Sequence, residues 1–155
     1  YQIIHDYHYD QKSKTRSAKI IEVEIDDKYV DIARQLQGIG RNFILRKGIG
    51  IESNPTSNYL ISNLKKIIEL PIFNLFPIRE STPGQLRLNV SVNTDDQGVF
   101  YTSLVKEYTL LANALQNQVD EHGLRIYSDD EILEWVSRLI ENGKNQCFMQ
   151  KEGSE

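Results

Sequence analysis

Thiol chemistry is almost missing from this chain, which holds one cysteine, Cys147, in 155 residues. No internal disulfide framework can form from it, and a zinc site of the multi-cysteine kind is excluded. Long apolar runs are missing as well. No stretch approaches the roughly 18 to 20 uninterrupted apolar residues that a membrane-crossing helix needs, and the first residues lack the charged-then-apolar layout of a secretory leader. Excess positive charge is the third absence. Eighteen basic side chains face 22 acidic ones, a formal net charge of -4, so no global field concentrates nucleic acid around the protein. The sequence starts at Tyr1 and its one methionine is Met149. The expectation is an excised piece of a longer protein that is intracellular, cytoplasmic or nuclear, and does not engage a membrane.

What is present is ordinary globular usage, with 39% hydrophobic and 26% charged residues. A chain of this length hides roughly two thirds of its extended surface on folding, enough for one core without staples. Residues 1–16 have no sustained period and read as a polar arm or loop, residues 17–150 as one domain, and residues 151–155 as a disordered tail.

Ile21, Val23 and Ile25 alternate with Glu22, Glu24 and Asp26, the pattern of a half-buried strand. Tyr29, Ile32, Ala33 and Leu36 then recur at helical spacing, giving a helix over 27–37 that Gly38 would stop. A second strand is expected over Arg41–Lys47, between the glycine turns 38–40 and 48–50. A helix over 57–70 follows, ended by Pro71, and an apolar connector with Ile72, Phe73, Leu75 and Phe76 packs onto the core. Leu86, Leu88, Val90 and Val92 alternate with polar residues, and a turn over 94–98 would return Val99–Tyr101 as an antiparallel hairpin partner. A long helix over 103–122 is capped by Thr102 or Ser103. The final helix, 129–142, opens with the capping box Ser128…Glu131, and a short strand is expected over Asn145–Gln150, a helix-then-wing layout that matches a winged helix only in part.

The fold expected from these elements is α+β: a mostly antiparallel sheet of about four to six strands, covered by about four helices in a single layer.

Each cluster with chemical capacity has a structural reading beside it. His5, Asp6, His8 and Asp10 are metal-capable, yet their spacing lacks the i, i+4 histidine pair of helical zinc sites. Gly38-Ile39-Gly40 lacks the third glycine and following helix of a dinucleotide fingerprint. Glu22 and Glu24 share a strand face without an identifiable partner for acid/base work, and Cys147 has no neighbouring histidine to activate it. Arg41, Arg46, Lys47, Lys65 and Lys66 form the best local basic patch.

From these absences the expected function is a non-catalytic protein–protein interaction module of a larger protein or assembly, binding another protein or a copy of itself through Phe73, Phe76 and Trp135. No cofactor, metal or catalytic residue is assigned. One alternative is nucleic-acid binding through the basic patch. A second is an enzyme whose site gathers scattered residues such as His5, His8, Glu22, Glu24 and His122.

Overall fold

The structure is a computed structural model that describes residues 1–79 and 87–147. The chain divides into two compact units, Tyr1–Gln37 and Gly38–Glu155.

The first unit is helical. It holds α1 (Gln2–Tyr9), α2 (Gln11–Ser17) and the start of α3 (Asp27–Arg46). Asp10 separates the first two helices and caps α2, its carboxylate accepting the Ser13 N–H at 2.7 Å. The expected polar arm is therefore two short helices. Residues 18–26 form no strand, and Ile21, Val23 and Ile25 are all exposed. Alternation supplies a face but not a partner to pair with, and none of the strands in the described residues lies in this unit. Asp26 does cap α3, through a 2.7 Å bond from the Tyr29 N–H.

Neither Gly38 nor Gly40 stops α3, which continues through both to Arg46. Arg41–Lys47 is accordingly helical or turn and not a strand. A mid-helix glycine costs about 1 kcal/mol relative to alanine, a bias that packing overrides readily; Ile44 of this stretch packs against the core. The chain turns at Gly48, whose φ of 61° suits a residue without a Cβ.

The second unit is built on one pair of strands. β1 (Ile51–Ser53) and β2 (Val90–Val92) run parallel, with Ile51 opposite Val90 and Ser53 opposite Val92. The expected antiparallel sheet of four to six strands is replaced, among the described residues, by this two-stranded parallel sheet and a mostly helical remainder. The alternation at 88–92 identified a strand but not its partner. Asp96 closes the hairpin route because its carboxylate accepts the Gly98 and Val99 N–H groups and starts α6 (Gln97–Phe100), where a returning strand was expected. Leu86 lies outside the described residues.

Ser53 leads into Asn54 and Pro55, and proline at the first position of α4 (Pro55–Ile61) gives up a donor that would be unpaired anyway. This helix ends at Ile61, short of the expected 57–70. A 3-10 turn at Ile67–Glu69 follows, and Pro71 begins α5 (Ile72–Leu75) instead of ending a helix. The apolar connector does pack inward: Ile72 and Phe76 are buried.

α7 (Leu104–Gln116) is capped by the Ser103 hydroxyl and stops before the expected 122. Leu111 and Leu115 are buried, while Leu104 and Val119 are exposed. α8 (Asp129–Gln146) opens with the reciprocal Ser128/Glu131 capping box and runs through Gly143. Its last residues occupy the start of the expected strand at 145–150, and residues 148–150 lie outside the described residues.

The core gathers Leu70, Ile72 and Phe76 from the connector, Leu88, Val90 and Val92 from the β2 segment, Leu111 and Leu115 from α7, and Ile132, Trp135 and Leu139 from α8. Side-chain amides of α8 complete the sheet. Asn142 donates to the Val90 carbonyl at 2.9 Å and Gln146 to the Asn89 carbonyl at 3.0 Å. Such bonds matter because a buried strand carbonyl left unpaired costs about 1–3 kcal/mol.

Candidate functional site

In a parallel pair both strands deliver their following loops to the same edge, which is where open α/β sheets and barrels place ligands. Here that edge carries Asn54–Ser57 after β1 and Asn93–Asp96 after β2. The two loops are locked to each other. The Ser57 hydroxyl, which is buried, donates to Asp95 Oδ2 at 2.8 Å, and the Asn93 amide donates to Glu52 Oε2 at 3.0 Å.

Asp95 lies three residues past the end of the buried strand β2, directly after the buried Thr94, and is itself exposed. Its φ of 57° places it in the left-handed region. Non-glycine residues enter that region at a cost of about 1–3 kcal/mol, and such residues concentrate where function requires a fixed geometry. The cost is offset locally: Asp95 Oδ1 accepts the Asp96 N–H at 2.9 Å while Oδ2 accepts Ser57. Both carboxylate oxygens are thus oriented, and each retains accepting capacity. Tyr101 is the second non-glycine residue with positive φ among the described residues, at 50°, in the connection from α6 to α7.

Two further groups complete the edge. Asn54 Oδ1 is buried without a hydrogen-bond partner. Glu107, on the first turn of α7, is fully buried and accepts the Thr56 N–H on Oε2 at 2.9 Å and the Thr102 hydroxyl on Oε1. Glu52, Asp95, Asp96 and Glu107 make this end of the sheet acidic.

The sequence-derived candidates lie elsewhere. Arg41 and Arg46 are on α3, Lys47 follows it with its ammonium 5.9 Å from the Phe43 ring centre, and Lys65 and Lys66 precede the 3-10 turn. All but Arg41 are exposed. Of Phe73, Phe76 and Trp135, expected as partner-binding anchors, Phe76 and Trp135 are buried and Phe73 is half-buried against the core. Trp135 is 3% exposed, stacks on Phe73 at 5.6 Å and donates its indole N–H to the Phe76 carbonyl at 2.8 Å. His5, His8, Glu22 and Glu24 belong to the first unit, and His122 to an exposed turn of the second. Among the described residues no three His, Cys, Asp or Glu side chains converge as a metal site.

The residues missed were Asp95, Asp96, Ser57 and Glu107. Thr94-Asp95-Asp96-Gln97-Gly98 carries strong turn signals, which masked the acidic pair standing at the end of an apolar strand.

The family model described as adenosine deaminase matches residues 41–127, more than half of the chain, and so spans both strands and both loops. No curated protein and no solved structure matches. An enzyme family overturns the expectation of a non-catalytic interaction domain.

Proposed function

This chain belongs to the adenosine deaminase family, and from that premise we propose that it takes part in the hydrolytic deamination of adenosine or a closely related 6-aminopurine. The carboxyl edge of the β1/β2 pair is the portion of the site that these residues build. In this reaction the oxygen of water adds to C6 of the purine, the bond from C6 to the exocyclic nitrogen breaks, and that nitrogen leaves as ammonia. One group must take a proton from the incoming water and return one to the departing amine.

Asp95 suits that role. Its carboxylate is solvent-accessible, and its orientation is fixed by Ser57 and by the Asp96 N–H. Asp96 spends Oδ1 on the α6 amides, which leaves Oδ2 to accept a hydrogen bond from substrate. Deaminations of this kind commonly use a metal-bound water. The described residues at this edge do not by themselves supply a ligand set for one.

The observation that carries the reading is Asp95, an oriented carboxylate in a left-handed conformation in the loop that leaves the buried parallel strand β2, inside the matched segment. The test is ammonia release from adenosine by the purified protein and by Asp95→Asn, which retains shape and tolerates the backbone angle. Loss of a proton-transfer group lowers the rate about 10²- to 10⁴-fold. A wild-type protein without turnover, or an Asp95→Asn variant as fast as wild type, contradicts the reading.

A further inference from the structure

Glu107 is the one charged side chain among the fully buried residues described, with 0% exposure. Burying a carboxylate is costly unless its oxygens are hydrogen-bonded, and an apolar residue of similar volume would avoid that cost. The two bonds it makes are specific in their targets. Oε2 accepts the N–H of Thr56, the residue before Ser57, and Oε1 accepts the hydroxyl of Thr102, the residue after Tyr101. Ser57 in turn holds Asp95 Oδ2. One buried carboxylate thus joins the first turn of α4, the connection into α7 and, through Ser57, the loop after β2.

We propose that Glu107 is a positioning residue for deamination: it fixes the first turn of α4 so that the Ser57 hydroxyl meets the Asp95 carboxylate in its reactive orientation. It touches no substrate: held in place by the Thr102 hydroxyl on Oε1, its Oε2 acts through Thr56 and Ser57. This role rests on the deaminase reading above. A misplacement of about 1 Å at such a site can cost roughly 10²-fold in rate, so the fold's tolerance of a buried charge here has a functional return that core packing alone does not explain.

The test is steady-state adenosine deamination by wild type, Glu107→Leu, Glu107→Gln, Thr102→Val, Ser57→Ala and the Ser57→Ala/Glu107→Leu double variant, with circular dichroism to establish folding. Glu107→Leu keeps the burial and loses both bonds; kcat falls about 10- to 100-fold with KM nearly unchanged. Glu107→Gln restores most of kcat, because its amide oxygen accepts the Thr56 N–H and its NH₂ donates to Thr102 Oγ. The double variant is no slower than the more impaired single variant, since both act on the same contact. Should Glu107→Leu fail to fold, Thr102→Val and Glu107→Gln carry the test: a several-fold kcat loss in the first with near-normal kcat in the second supports the role, and wild-type kcat in Thr102→Val overturns it. Additive losses in the double variant, or equal impairment of Gln and Leu at position 107, overturn it too. A wild type active on adenosine, with Asp95→Asn inactive and Glu107→Leu unchanged, removes the positioning role alone. An inactive wild type removes the deaminase reading with it.

Discussion

Replacing Trp135 separates the two ways in which α8 is held to the rest of the second unit. The indole is 3% exposed, lies nearly parallel to Phe73 with ring centres 5.6 Å apart, and donates to the carbonyl of Phe76, itself buried. Trp135→Phe keeps an aromatic ring on Phe73 but removes the donor, leaving the Phe76 carbonyl buried and unpaired at about 1–3 kcal/mol. Trp135→Ala adds the lost burial and cavity, about 3–5 kcal/mol for a buried tryptophan. The expected order is therefore wild type, then Phe lower by about 2–3 kcal/mol, then Ala lower by about 4–6 kcal/mol. Urea unfolding followed by far-ultraviolet circular dichroism reads this directly, with an unchanged m-value showing that the folded state is intact. Phenylalanine costing as much as alanine, or alanine costing under about 1 kcal/mol, refutes the interior role of this residue. Since α8 lies beyond the matched segment 41–127, the same result shows whether it is integral to the unit.

Acid lability should report the pairing of Arg79 with Glu131. The bidentate hydrogen bond from Arg79, helped by the Ser128 N–H, holds the Glu131 carboxyl at about 2 against an ordinary 4.5. Because the folded value is depressed, the contribution is fully present above about 4.5 and is lost as pH falls toward 2. Arg79→Gln should flatten the decline of the urea midpoint in that window, and parallel curves for the two proteins would argue against the pair. Gly50→Ala should cost about 1 kcal/mol, because an added Cβ would stand 2.8 Å from the flexible end of Gln146 and displace it from its bonds to Asn89 and Ser91. Gln146→Ala should remove most of that penalty, and strict additivity in the double variant would contradict the clash.

Local signals were readable where they were self-contained. The Ser128…Glu131 box starts α8 because both of its bonds lie within four residues, and Ser103 caps α7 for the same reason. Pairing was not readable. β2 is legible as a strand from Leu88, Val90 and Val92, but its partner is three residues long, sits between Gly50 and Asn54, and lies about forty positions earlier. The segment Phe43-Ile44-Leu45 shows the ambiguity of a short apolar run: flanking glycines suggested a strand, and the chain is helical there. Ile21, Val23 and Ile25 show that alternation without a neighbour builds no sheet.

The site was hidden by the same non-locality. Asp95 gains meaning only once Ser57, 38 positions away, is seen against it. Glu107 looks like any acidic residue in a first helical turn until its complete burial and its bond to Thr56, 51 positions away, are known.

The carboxyl edge of the parallel pair is proposed to do the work of an adenosine deaminase. Ammonia release from adenosine, compared between wild type and Asp95→Asn at matched circular dichroism, tests it most directly. Turnover by wild type with a loss of about 10²-fold or more in the variant is the expected result. Equal rates in the two proteins, or no release by either, would contradict it.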